Sequence, residues 1–170
     1  MNITKLKILN IVNYITLIAF IVSITLQLAF SIINLSFLDF LLVSLFIAIS
    51  ISLISKSLLF NSDNALWFGL LLLIYAGLQV YFKFYPVGIV YKWFWYMFAV
   101  VVCSLVVGII FKERFPFRLA SIATFISLIL YLHAVFSFNV FVFIALLLVS
   151  IIFGYFFQRF IPHYTKKHKH

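Results

Sequence analysis

The chain alternates long apolar stretches with short breaks that carry turn chemistry. Six stretches, near residues 8–30, 35–55, 65–82, 89–111, 117–136 and 139–157, are each long enough to cross a hydrocarbon core of about 30 Å at a rise of about 1.5 Å per residue. The breaks read "SIIN", "FNSDN", "YPVG", "KERFP" and "SFN", combinations of Asn, Asp, Ser, Gly and Pro that favour reversal over continued helix. Two of these breaks are barely polar. As one helix, however, 117–157 would extend about 60 Å, twice the core thickness, so the chain must fold back at "SFN". The same reasoning makes "SIIN" a tight hairpin.

The pattern therefore predicts an all-α, polytopic integral membrane protein: one transmembrane domain over 1–170, a bundle of six helices, ending in a basic tail at 158–170. The first stretch follows Lys5 and Lys7, as a secretory signal would. Its apolar run is longer than the 7 to 15 residues of a cleavable signal core, and it ends in "QLAFSIIN". It is read as a retained first helix.

The basic residues orient the bundle, because short basic loops stay on the cytoplasmic side during insertion. With six spans and the N-terminus inside, Lys5 and Lys7, then Lys56, then Lys112, Arg114 and Arg118, and finally Arg159, Lys166, Lys167 and Lys169 all fall inside. Only Lys83 and Lys92 fall outside. An odd number of spans would scatter basic loops over both faces, so the even count and the N-in/C-in orientation support each other. Lys83 and Lys92 bracket a turn built on Pro86 and Gly88, with Tyr81, Tyr85, Tyr91, Trp93, Trp95 and Tyr96 expected at headgroup depth as an aromatic belt.

Composition agrees with this reading and removes other classes. Hydrophobic residues make up 67% of the chain and charged residues 9%, against about 25% charged in an ordinary soluble domain. The net charge of +9 is accounted for by topology and gives no reason to invoke nucleic acid. The 23 Phe residues, beside abundant Ile, Asn, Lys and Tyr, are the types that A/T-rich codons supply, so they do not by themselves indicate an aromatic cage. Cys103 is the single cysteine. It leaves no intramolecular disulfide and no thiolate cluster, and its setting in "AVVVCSLVVG" is that of a small hydrophobe.

Ionisable residues within membrane helices are functional candidates because they are expensive there. Asp39, at the start of the second stretch, and His133, near the end of the fifth, are expected toward the same leaflet as Lys83 and Lys92. The four form a candidate outer-face polar cluster, in which Asp39 would pair with Lys83 or Lys92 and His133 would line the same cavity. The simpler account places Asp39 at a helix N-terminus that favours negative charge and His133 at the interface.

In the first stretch, Asn13, Thr16, Ser23 and Gln27 project within about 80° of one another at 100° per residue. They form a candidate helix-packing stripe or solute path, with packing preferred. Ser121, Thr124, Ser127 and Tyr131 repeat the idea. Ser104 with Gly108 and Ser150 with Gly154 make faces on which helices can approach closely.

Motifs for chemistry are sparse: there is no Gly-rich phosphate loop, HExxH or nucleophile elbow. The carboxylates are Asp39, Asp63 and Glu113, and the orientation puts the first on the opposite side from the other two. That disfavours a two-carboxylate hydrolase. His163, His168 and His170 lie in a basic tail better suited to anionic lipid than to a metal. No catalytic residue, metal site or cofactor is assigned.

The expected partners are the bilayer and other membrane subunits, with anionic-lipid contact through Lys112, Arg114, Arg118, Lys166, Lys167 and Lys169. The expected role is a noncatalytic subunit or scaffold of a larger complex, in a bacterial inner membrane. The alternatives are a small-solute transporter or transport subunit and, with least support, a lipid-modifying membrane enzyme.

Overall fold

An apolar run in lipid must satisfy its backbone within itself, and the helix does so residue by residue. The structure, a computed structural model, describes residues 3–30, 35–137 and 139–157. It contains six helices there and no strand: α1 (Ile3–Phe30), α2 (Phe37–Phe60), α3 (Asp63–Phe84), α4 (Ile89–Phe111), α5 (Arg114–Phe136) and α6 (Val140–Phe157). Helices α1 to α5 are long and apolar enough to cross a membrane, while α6 is apolar over the shorter stretch Val140–Phe153. Large side chains such as Leu17, Ile18, Leu58, Ile109 and Phe141 stand exposed along these helices. A surface of that kind fits hydrocarbon, not water, and the chain has the character of an integral membrane protein.

The helix ends follow local chemistry. Ser36 caps α2, its hydroxyl oxygen accepting from the Asp39 amide at 3.2 Å and its hydroxyl donating to the Asp39 carboxylate at 2.6 Å. Ser62 caps α3 by accepting from the Ala65 amide at 3.4 Å. Asn61, Lys112 and Ser137 end α2, α4 and α5 in the left-handed region, with φ of 54°, 55° and 50°. Asn adopts this conformation most readily of the three.

Three ends differ from the sequence expectation by three residues or more. Helix α1 begins at Ile3, because the exposed Lys5 and Lys7 are as compatible with a helix surface as with a loop. Helix α2 runs on to Phe60 and stops where Asn61 turns. Helix α5 begins at Arg114 with Pro116 in its first turn, where a missing N–H costs no intrahelical bond. The "SIIN" hairpin and the tail from residue 158 onward lie outside the described residues.

The chain divides into two compact units, Met1–Pro86 and Val87–His170. In the first, α2 packs against both α1 and α3. Val43, Ser50 and Ser57 are buried along α2 at a seven-residue spacing, and Gly69 and Ala76 repeat that spacing along α3. A seven-residue repeat keeps one side of a helix against its partner. Small residues on it let the backbones come close. A Cβ at position 69 would lie 3.1 Å from the Ile54 amide nitrogen and 3.2 Å from the Ser50 carbonyl oxygen. Ser50 donates its hydroxyl to the Gly69 carbonyl at 2.7 Å.

In the second unit, α5 packs against both α4 and α6. Cys103, Ser104, Val107 and Gly108 of α4 are buried, as are Pro116, Ala120, Ala123 and Ser127 of α5. A Cβ at Gly108 would stand 3.0 Å from the Phe117 ring. The Ser104 and Gly108 face is thus occupied by α5 of the same chain. Ser150 of α6 is buried as well.

Candidate functional site

The α2/α3 seam delivers the first two polar candidates to one place. Continuing the Gly69, Ala76 spacing by one step gives Lys83, in the last turn of α3, and this brings it beside the first turn of α2. There the Lys83 ammonium stands 3.5 Å from the Asp39 carboxylate. Both side chains are about half exposed, at 48% and 52%, so solvent and headgroups compete for each partner and the pair adds little to stability. The carboxylate is also held by Ser36. What the pair offers is two opposite charges, held close together and accessible.

Lys92 and His133 belong to the second unit. Lys92 sits in the first turn of α4, half-buried, its amide donating to the Gly88 carbonyl at 3.1 Å. His133 lies in the last turn of α5 with its ring 4.4 Å, centroid to centroid, from that of Phe143 on α6, and its Nδ1 is buried. A cavity of about 340 Å3 opens here, lined by Gly88, Ile89, Val90 and Tyr91 from α4 and by His133, Ala134 and Ser137 from α5. Lys92 and His133 therefore share one end of this unit.

The polar stripe of α1 turns toward α2. Asn13 accepts from the Ser52 hydroxyl at 2.8 Å, and Gln27 is buried. Thr16 donates to the Val12 carbonyl and Ser23 to the Phe20 carbonyl, each at 2.8 Å, so both hydroxyl protons are spent within α1. Thr124 and Ser127 of α5 likewise donate to the carbonyls of Ala120 and Ala123. Among the described residues no group of three His, Cys, Asp or Glu side chains could hold a metal ion. Lys112 and Arg118 are exposed near the α4–α5 turn. Lys166, Lys167 and Lys169 lie outside the described residues.

Sequence reading missed Ser36, Ser50 and Gly69. Ser36 was legible as a capping residue, since S-x-x-D ahead of an apolar run is an N-terminus signature. Ser50 and Gly69 had a weaker signal, the shared seven-residue spacing of small residues on adjacent spans.

Beside α2 the first unit also carries an apolar groove of about 700 Å3, walled by α1 from Val12 to Ser23 and by α2 from Phe40 to Ile51, with Leu35 and Val80 at one end. Searches for similar proteins found no matching family model, curated protein or solved structure.

Proposed function

We propose that the chain is an inner-membrane protein of bacteria, spanning the bilayer six times with both termini cytoplasmic. On this reading it serves as a noncatalytic subunit or scaffold of a larger membrane complex. The observation that carries it is where the polar side chains of the spans go. Ser50 bonds to Gly69, Ser52 to Asn13, and Thr16, Ser23, Ser44, Thr124, Ser127 and Ser150 to carbonyls one turn back in their own helices. The first two bonds tie neighbouring helices together, and the hydroxyls spent within their own helices leave little for a reacting group. The broad apolar faces of α1 and α6 then serve as contact surfaces for lipid and neighbouring subunits.

A second reading, a transporter or transport subunit, draws support from the accessible Asp39–Lys83 pair. One experiment separates the two. The tagged chain is extracted with its surrounding bilayer in copolymer discs, and its mass and composition are measured for wild type, Asp39→Asn and His133→Ala. The subunit reading expects a second membrane protein at fixed stoichiometry, retained in both variants. A chain that extracts alone, together with loss of solute accumulation in either variant, overturns it.

A further inference from the structure

The groove in the first unit is shaped for hydrocarbon. Its two walls, Val12 to Ser23 on α1 and Phe40 to Ile51 on α2, are each about 17 Å long at about 1.5 Å per residue, close to half of a core about 30 Å thick. The groove is therefore about as long as one leaflet is thick. Its volume of about 700 Å3 over that length gives a mean section of roughly 40 Å2, about half the roughly 80 Å2 of a helix 10 Å across. A helix would have to lie on top of it. An extended acyl chain is narrow enough to fit inside.

The chemistry of the walls selects in the same direction. The three hydroxyls that line it, on Thr16, Ser23 and Ser44, donate to the carbonyls of Val12, Phe20 and Leu41 in their own helices. No hydroxyl proton is left to receive a hydrated solute, and the remaining lining is aliphatic or aromatic. One end differs. Phe40 and Val80 mark it, the first adjacent in sequence to Asp39 and the second one turn before Lys83. The accessible pair of opposite charges thus stands level with one end of a slot about as long as one leaflet is thick.

We propose that this groove holds one acyl chain of a zwitterionic aminophospholipid, with the lipid phosphate at Lys83 and its ammonium at Asp39. The headgroup carries both signs of charge in neighbouring positions, and the 3.5 Å pair presents the complement of each. Exchange of the internal ion pair for two contacts to the headgroup keeps the charge balance unchanged. The inference goes beyond the subunit reading and requires only that the chain lie in a bilayer.

The test uses the full chain in nanodiscs of phosphatidylcholine doped with phosphatidylethanolamine bearing a diazirine near the middle of one acyl chain. After photolysis, adducts are mapped by peptide mass spectrometry. Wild type is expected to carry adducts at Thr16, Val43 and Ile47 at least fivefold more often than at Leu17 and Ile21, which face away from the groove lining. Ala48→Phe, which fills the slot, should remove that preference. Asp39→Asn with Lys83→Gln should lower groove adducts at least threefold while leaving those at Leu17 and Ile21 unchanged. Equal labelling of both faces of α1 in the wild-type protein overturns the proposal whether or not Ala48→Phe folds. So does undiminished groove labelling in the charge variant, or photoproducts that link groove residues to a second protein chain.

Discussion

The hydroxyl of Ser50 donates to the carbonyl of Gly69 across the α2/α3 seam at 2.7 Å, and both residues are buried. The bond is a consequence of close approach more than its cause. Side-chain hydrogen bonds between membrane helices average about 0.6 kcal/mol, whereas forcing extra atoms into a packed contact costs about 1–3 kcal/mol. Gly69→Ala is therefore expected to destabilise more than Ser50→Ala, because its Cβ meets the backbone of Ile54 and Ser50, which cannot swing aside. Gly77→Ala is the control. Nothing lies within 4 Å of a Cβ there, and the gain in helix propensity is about 0.5–1 kcal/mol. Unfolding of the three variants in mixed micelles should rank Gly77→Ala above Ser50→Ala and both above Gly69→Ala.

Gly108 poses the same question with a different neighbour. Its absent Cβ would stand 3.0 to 3.1 Å from three atoms of the Phe117 ring, and a side chain can be replaced where a backbone cannot. Gly108→Ala alone is expected to cost about 1–3 kcal/mol. In a Phe117→Leu background the cost should largely disappear, giving a coupling of about 1 kcal/mol or more in a double-mutant cycle. Additive losses in that cycle would show that the ring already yields.

The six helices were legible because membrane thickness sets a length and Asn, Ser, Gly and Pro mark the reversals. How the helices meet was far less so. With nearly every position apolar, no amphipathic phase tells which face of α2 seeks α3, and the seven-residue spacing of Ser50 and Ser57 gains meaning only beside Gly69 and Ala76. Asp39 was singled out with two lysines as possible partners. The choice of Lys83 follows from the α2/α3 register, which is a tertiary property. The apolar groove had no signal at all, since its lining residues are those of any membrane helix.

The two serine caps differ in strength. Ser36 makes two bonds, to the Asp39 amide and carboxylate, whereas Ser62 makes one of 3.4 Å. Replacing an N-cap serine with alanine costs about 1 kcal/mol on average. Ser36→Ala should fall above that figure and Ser62→Ala below it. Amide exchange checks the assignment locally, with the Asp39 amide losing protection in the first variant and the Ala65 amide in the second.

Orientation is testable with the chain's own cysteine removed. Cys103 is fully buried in the second unit, and Cys103→Ser replaces it with a side chain of similar size. Single cysteines at Lys56, inside α2 about one turn before its end, and at Gly88 and Lys112, the two caps of α4, then probe three exposed positions. In the proposed orientation Lys56 and Lys112 fall on the cytoplasmic side, because retention of basic loops directs insertion. Gly88 lies in the turn bracketed by Lys83 and Lys92, too few charges to compete. A membrane-impermeant maleimide added to intact cells should label the cysteine at 88 and leave those at 56 and 112 unlabelled until the cells are opened. Labelling at 112 in intact cells would invert the bundle. It would also move the Asp39–Lys83 pair, together with any headgroup it binds, to the cytoplasmic leaflet.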